Sequence, residues 1–358
     1  MKTTEKIKSL SFNEALEAAK ENAKSKLCTN DIRLLLGNGF SRAYYGKFDY
    51  TTLYQAIKDE KKNKNIKKLF EYFGTSNFEA VLNFLKRAQF LFKIYGIDGK
   101  DIIKDYERIK DALAEAILKV HPEKTTVIPE EAKINCYKFL KQFDDIYTVN
   151  YDLLLYWTLL TDPNLDFGDY FTRDQDTPNE YCEYVRDGSK KDKHVFFLHG
   201  GLHLFIKDGR TIKKVWGNTL PLIEQIKKEI ENGYYPWVVA EGDHESKLQQ
   251  IKSNPYLDHA FEKLSQNKGQ LFTFGFSFSD QDLHIVKAII KNCGIRYLWI
   301  GIHGNMSNKN NEQLIKIANY MIYERKKIAK GINKYTRGPL KVRFYDSSNM
   351  DIWGIKNS

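Results

Sequence analysis

A set of short, continuous apolar runs is the feature that most constrains the fold of this chain. The first run ends at Leu36 and is followed at once by Gly37. Such runs are typical of strands that are buried on both faces, as in parallel sheets. Similar runs lie at residues 32–36, 146–149, 195–198, 271–274, 297–300 and 342–345. Helical patterns such as 283–290 separate them, so the sequence predicts an α/β fold with a doubly wound, mainly parallel sheet.

A long interval without strand-like runs predicts a helical insertion in this Rossmann-like fold. Between Ser41 and Thr148 the apolar residues from Phe78 to Phe92 keep helical spacing, and further helices are predicted over 101–120 and 129–142. We therefore expect residues 1–49 to hold an N-terminal helix, the first strand and its glycine loop. Residues 50–143 would form the insertion, and residues 144–358 the remainder of the domain.

A second interval, residues 202–268, mixes a hairpin signal around Asp208 with helices near 220–231 and 256–264. We expect both intervals to form a cap beside the carboxyl edge of the sheet, where open α/β folds bind ligands. At the start of the chain, Ser11 and Glu14 have the spacing of a capping box and predict an opening amphipathic helix.

Composition limits the classes of partner and compartment. Lysine and arginine (56) exceed aspartate and glutamate (46), which gives a net charge of +10, but the excess is spread along the chain. We therefore expect an anionic small ligand and no direct nucleic-acid or membrane binding. The four cysteines lie far apart, and no apolar stretch is long enough to cross a bilayer. A cytoplasmic, reducing location is expected.

The first strand is followed by Gly37-Asn38-Gly39-Phe40-Ser41. Glycines at such a turn let the backbone approach a phosphate, and free N–H groups at the following helix start would face the anion. A tight structural turn accounts for the same residues equally well. The second strand ends in Asn150 and Asp152, which are either helix caps or site residues.

The third and fourth strands also end in polar or small residues. His199 stands at a strand end before two glycines, where it can exchange a proton near neutral pH. His203 follows four residues later, but no carboxylate or cysteine partner is placed with the pair, so no metal is predicted. The fourth strand leads into Gly275 and Ser277; Ser279 and Asp282 are interpreted as caps of the next helix.

In this order the four strand ends resemble the sirtuin superfamily, which carries a glycine-alanine-glycine-x-serine loop, a T-x-N-x-D segment, a His-Gly pair and a G-T-S-like turn. The segments L-G-N-G-F-S, T-V-N-Y-D-L-L-L-Y-W, F-F-L-H-G-G-L-H-L-F and F-G-F-S-F-S-D-Q-D are similar to the bacterial sirtuin-like (SIR2-like) proteins of anti-phage defence. Several of those proteins hydrolyse NAD⁺.

The resemblance implies a role for each matching residue. The pyrophosphate and its ribose would lie against the turn that contains Gly37, Asn38, Gly39, Phe40 and Ser41. Asn150 would position the nicotinamide ribose and a water, and Asp152 would hold the carboxamide. His199 would be the general base. Gly275 and Ser277 would line the adenosine half.

The function implied is an NAD⁺ hydrolase that releases nicotinamide and ADP-ribose, gated by self-assembly or by a partner such as a HerA-type ATPase. The chain departs from the deacetylases, because Asn38 replaces alanine and no zinc-binding cysteine pairs precede Gly275. Two alternatives remain open. One is a non-catalytic NAD⁺ or ADP-ribose sensor, and the other is a protein deacylase or ADP-ribosyltransferase.

Overall fold

A computed structural model describes residues 9–24, 31–44, 46, 64–74, 78–121, 125–161, 164, 166–173, 181–215, 221–231, 234, 236–239, 243–330 and 339–355. Its centre is an eight-stranded sheet in which every neighbouring pair is parallel. The strands are β1 (Leu10–Ser11), β2 (Ile32–Leu36), β3 (Asp145–Thr148), β4 (Phe167–Gly168), β7 (Lys193–Phe197), β10 (Gly269–Phe274), β11 (Ile295–Ile302) and β12 (Lys341–Asp346). Their order is β1-β12-β11-β10-β2-β3-β7-β4. All six predicted strands are present, and the predicted doubly wound α/β fold is confirmed.

The strand order explains where a site can form. The chain proceeds outward from β2 to β3 and β7, then returns to the other side of β2 and proceeds through β10, β11 and β12. The connections from the carboxyl ends of β2 and β10 therefore diverge, and such a switch point leaves a crevice. Both strands are almost wholly buried, as the continuous apolar runs predicted.

Helices flank the sheet. They are α1 (Phe12–Lys24), α2 (Gly39–Tyr44), α3 (Lys64–Phe73), α4 (Phe78–Ile94), α5 (Lys100–Val120), α6 (Glu130–Leu140), α7 (Leu154–Leu159), α8 (Leu222–Glu231), α9 (His244–Ser253), α10 (Pro255–Ser265), α11 (Leu283–Lys291) and α12 (Lys309–Lys330). The capping box of α1 is confirmed, because the Ser11 amide donates to the Glu14 carboxylate at 2.8 Å. No described helix is long and apolar enough to span a membrane.

The predicted helical interval contains α3 to α6, and within its described part no strand occurs between β2 and β3. α4 reaches α9 through a 3.6 Å ion pair between Arg87 and Asp243. His121, just after α5, accepts a hydrogen bond from the Leu153 amide at 3.0 Å, close to the carboxyl end of β3. The predicted domain boundaries stay a prediction. Cys28 lies outside the described residues.

A second, antiparallel sheet could be predicted only in part from the sequence. It consists of β5 (Phe171–Arg173), β6 (Tyr181–Tyr184), β9 (Arg210–Lys214) and β8 (Leu204–Lys207), in the order β5-β6-β9-β8. The hairpin signal around Asp208 correctly placed β8 and β9. β5 and β6 are three and four residues long, too short to show a clear apolar alternation.

Candidate functional site

A cavity of about 820 Å³ lies at the carboxyl edge of the parallel sheet. Eight of the ten predicted site residues line it: Gly37, Asn38, Gly39, Asn150, Asp152, His199, Gly275 and Ser277. The residues that follow β2, β3, β7 and β10 are distant in the chain, so their meeting at one cavity is the spatial arrangement that the sequence predicted. The cavity continues past β11, where His303, Asn308 and Asn311 line it.

The glycine turn after β2 packs directly against the turn after β10. A Cβ on Gly37 would lie 2.5 Å from the carbonyl oxygen of Gly275, and one on Gly39 would lie 2.5 Å from the Gly275 Cα. Gly275 itself has φ of +64°, which favours glycine. Glycine is therefore required here because two backbones touch. We expected a phosphate to approach these glycines closely, but the backbone of the neighbouring turn does so instead.

The expected free amides at this turn are not all available. The Gly37 amide donates to the Phe274 carbonyl, the Gly39 amide to that of Gly275, and the Phe40 amide to that of Gly37, at 2.9 to 3.0 Å. The prediction that these N–H groups face an anion is wrong for the three that donate within the protein. Arg42, at the cavity wall, is a cationic side chain that can approach a phosphate.

Phe40 and Ser41 do not line the cavity, which corrects their predicted role as direct ligand contacts. The Phe40 ring is fully buried and packs against Trp353 with centroids 5.3 Å apart. The Ser41 hydroxyl is also fully buried; it donates to Asp152 Oδ2 at 2.5 Å and accepts from Asn150 Nδ2 at 2.9 Å. Ser41 therefore holds two cavity residues in place.

Asn150 and Asp152 are held by this contact and by the backbone around it. Asn150 Nδ2 also donates to the Gly37 carbonyl at 3.0 Å, so both amide hydrogens are used and Oδ1 is the atom left for a ligand. Asp152 Oδ1 accepts from the Leu154 amide at 2.9 Å. Burial raises the pKa of Asp152, although the bonds from Ser41 and Leu154 oppose this. The capping interpretation of Asp152 is correct in part, since its side chain binds the first amide of α7.

His199 belongs to a buried polar cluster. Its Nε2 lies 3.0 Å from Nε2 of His284 and 3.9 Å from Oδ1 of Asp282. Lys247, almost fully buried on α9, donates to the same Asp282 oxygen at 3.3 Å. Both imidazoles are also buried. We refer to His199, Asp282, His284 and Lys247 as the histidine cluster.

The charges of the histidine cluster follow from its burial. Burial, then the positive charge of Lys247, lowers the pKa of His199 well below its usual value, and Asp282 only partly offsets this. Burial likewise lowers the pKa of His284 to about 4, despite the raising effect of Asp282. Burial alone would raise the pKa of Asp282, but the charge of Lys247 holds it below its usual range. At neutral pH the cluster therefore contains one ion pair and two neutral imidazoles.

Three of these residues were missed or misassigned from the sequence. Asp282 was interpreted as a helix cap, but neither Ser279 nor Asp282 makes a side-chain cap bond. Asp282 instead faces Lys247, which precedes it by 35 residues, and nothing local predicts that pairing. The sequence did carry one signal for His284, since it follows the same strand-end turn as Ser277, two residues after Asp282.

His203 is not part of the cluster. It is fully buried, neither ring nitrogen has a partner among the described residues, and the ring stacks on Tyr156 at 4.8 Å. His203 does not line the cavity. The ligand atoms of His199, Asp282 and His284 do lie within 4.8 Å of one another, close enough for a metal ion to bridge. However, the Lys247 ammonium already neutralises Asp282, and its charge would repel an added cation.

Fold and cavity define the class: a doubly wound α/β protein with a ligand-sized cleft at the switch point of its parallel sheet. The chain belongs to the family described as Domain of unknown function (DUF4917), whose model matches residues 34–353. No curated protein matches it.

Two solved structures to which the chain is similar concern Sir2. The first, on the mechanism and regulation of Sir2 enzymes, is 14% identical with a TM-score of 0.33, over 89% of this chain and 99% of that chain. The second, a Sir2 mutant with a p53 peptide and NAD, is 12% identical with a TM-score of 0.32, over 88% and 98%. TM-scores this low carry no weight for fold or function, so the fold assignment rests on the strand order.

Proposed function

We propose that this protein is an NAD⁺ hydrolase that cleaves the bond between nicotinamide and ribose and releases nicotinamide and ADP-ribose. The observation that carries the proposal is the meeting of Asn150, Asp152 and His199 at one cavity beside the turns of Gly37 and Gly275. These are the segments whose sequences resemble the sirtuin-like proteins. Cavities of this volume hold ligands of drug size or larger.

The proposed chemistry uses Asn150 Oδ1, which the hydrogen bonds of its amide leave available, together with Asp152 and His199. Cleavage of the glycosidic bond passes through an oxocarbenium-like state, which requires a held leaving group, a stabilised positive charge and a water. Asn150 Oδ1 accepts from the ribose hydroxyl or the attacking water and lies against the developing charge. Asp152, whose pKa is raised by burial, holds the carboxamide. His199, neutral at pH 7, accepts the proton of the water.

The remaining parts of the substrate would occupy the rest of the cavity. Arg42 and the turn that contains Asn38 would hold the pyrophosphate, while Gly275 and Ser277 would line the adenosine half. This hydrolysis needs no metal ion, because the leaving nicotinamide already carries a positive charge that cleavage neutralises.

An ungated enzyme of this activity would exhaust the NAD⁺ of its own cell. We therefore propose that self-assembly, or a partner such as a HerA-type ATPase, switches the activity on, as part of an anti-phage defence. The resemblance of the strand ends is the support for this role.

The test is incubation of the purified chain with NAD⁺, with and without candidate partners, and chromatography of nicotinamide and ADP-ribose. Asn150→Ala and His199→Gln are expected to remove product release. His259→Phe is the matched control: it replaces another buried imidazole, which lies among Tyr170, Tyr184 and Phe196 and does not line the cavity. Saturable NAD⁺ binding without nicotinamide release would indicate a sensor instead. Consumption that requires an acceptor would indicate a deacylase or transferase.

A further inference from the structure

We propose that His284 and Asp282 hold the ring proton of His199 on Nε2, which leaves Nδ1 as the unprotonated nitrogen that faces the cavity. The inference rests on the proposed function, because it explains how His199 acts as a base. His284 and Asp282 are thereby positioning residues, with no contact to substrate required of either. The sequence around β7, the strand that precedes His199, does not predict that these two residues position its imidazole.

The contact between the two imidazoles restricts the arrangement of protons. Neutral imidazole has one N–H and one lone pair, so two Nε2 atoms at 3.0 Å require one donor and one acceptor. If His284 donated, the proton of His199 would be on Nδ1 and its basic nitrogen would be turned away from the cavity. If His199 donates, its Nδ1 lone pair remains for the cavity, which His199 lines.

The position of Asp282 favours the second arrangement. Asp282 is ionised, and its Oδ1 lies 3.9 Å from Nε2 of His199, so its negative charge favours a proton on that nitrogen. Nδ1 of His284 has no hydrogen-bond partner among the described residues, so no protein contact there requires its lone pair. A proton on Nδ1 of His284 leaves its Nε2 as the acceptor that His199 requires.

Lys247 completes the cluster by fixing the charge of Asp282. Its ammonium donates to the Asp282 oxygen that lies nearest His199 Nε2. With this pair formed, the imidazoles remain neutral and the tautomer is set by hydrogen bonds. Fixed tautomers matter for catalysis: when the group that orients a catalytic imidazole is lost, kcat can fall by up to about 10⁴-fold.

The first experiment observes the protons directly and requires no activity. ¹⁵N-histidine NMR of the full chain, with the His199 signals assigned by loss in His199→Gln, reports which nitrogen carries hydrogen. We expect a pyrrole-type Nε2 and a pyridine-type Nδ1 for His199 at about pH 7.5, above the ordinary imidazole pKa. A proton on Nδ1 of His199 overturns the inference, whether or not NAD⁺ is consumed.

The second experiment separates positioning from general structural support. In His284→Phe, which has no acceptor, we expect mixed tautomers of His199 and a loss of about 10- to 10³-fold in kcat with KM for NAD⁺ unchanged. His284→Gln, whose amide oxygen can accept the same bond, should restore one tautomer and most of the rate. An equal loss in both variants, or a change in KM alone, contradicts the inference. A correct tautomer in a chain that never releases nicotinamide would refute the hydrolase assignment alone.

Discussion

Replacing Ser41 with alanine tests whether the turn after β2 acts on substrate directly or through its neighbours. The fully buried Ser41 hydroxyl bonds both Asp152 Oδ2 and Asn150 Nδ2. Alanine removes both bonds and leaves a carboxyl oxygen and an amide hydrogen without a partner. The rest of the site, including the Asp152 bond to the Leu154 amide, is unchanged by the substitution.

The size of the effect follows from the number of groups left unpaired. Each buried polar group without a partner costs about 1–3 kcal/mol, and more if it is charged. Two such groups give an expected loss of about 3 kcal/mol in the free energy of unfolding for Ser41→Ala. Ser277→Ala, at an exposed position, is the control and should change stability by less than about 0.5 kcal/mol.

Denaturant unfolding of a double-mutant cycle with Asp152→Asn measures the coupling between the two side chains. We expect a coupling of about 1–3 kcal/mol, because the two side chains share one buried hydrogen bond. In NAD⁺ turnover, Ser41→Ala should lower kcat more than about tenfold with little change in KM. A coupling near zero, or a raised KM with normal kcat, would refute this reasoning and restore direct contact between Ser41 and the pyrophosphate.

Three further predictions concern stability. Gly37→Ala should destabilise the chain by at least about 2 kcal/mol in denaturant unfolding, because its Cβ meets the backbone at Gly275, whereas the Cβ of Gly46→Ala meets no atom of the described residues within 4 Å, so that this substitution should be near neutral. Arg325→Met should cost about 3 kcal/mol or more, since the buried guanidinium donates to four backbone carbonyls, with exposed Lys326→Met as the control; equal thermal shifts would contradict this. Acid should destabilise the fold, because four buried imidazoles have pKa values below that of the unfolded chain. These are His199, His203, His259 and His284. The unfolded chain binds more protons below about pH 6.5, so the melting temperature should fall steadily from about pH 6.5 towards about pH 4; a flat profile would show that these imidazoles do not remain neutral.

The sheet and the meeting of the strand ends could be predicted because both follow from local patterns. Buried parallel strands appear in a sequence as short apolar runs, and their carboxyl ends share one edge whatever the length of the connections. Asn150 and His199 could therefore be assigned to one site although 49 residues separate them. The helical interval was likewise visible from its spacing.

The contacts between side chains could not be predicted from the same patterns. Asp282 at the start of a helix has the sequence signature of a cap, and only the fold of α9 brings Lys247 to it. Ser41 has the position of a ligand contact, but the first turn of α2 directs its hydroxyl to Asp152. In both cases the local sequence correctly predicts that the side chain makes polar contacts. It does not predict which way that side chain points, because tertiary packing decides this.

The contact between the turns of Gly37 and Gly275 also has an evolutionary consequence. Because a Cβ at either position would meet backbone atoms of the other turn, which no second substitution can remove, neither position can accept a larger residue. Adaptation to a new ligand should therefore proceed through the intervening Asn38, whose exposed position borders the cavity without this restriction. A saturation library at residue 38 should accordingly yield many folded variants, while libraries at 37 and 275 should return almost exclusively the parental glycine.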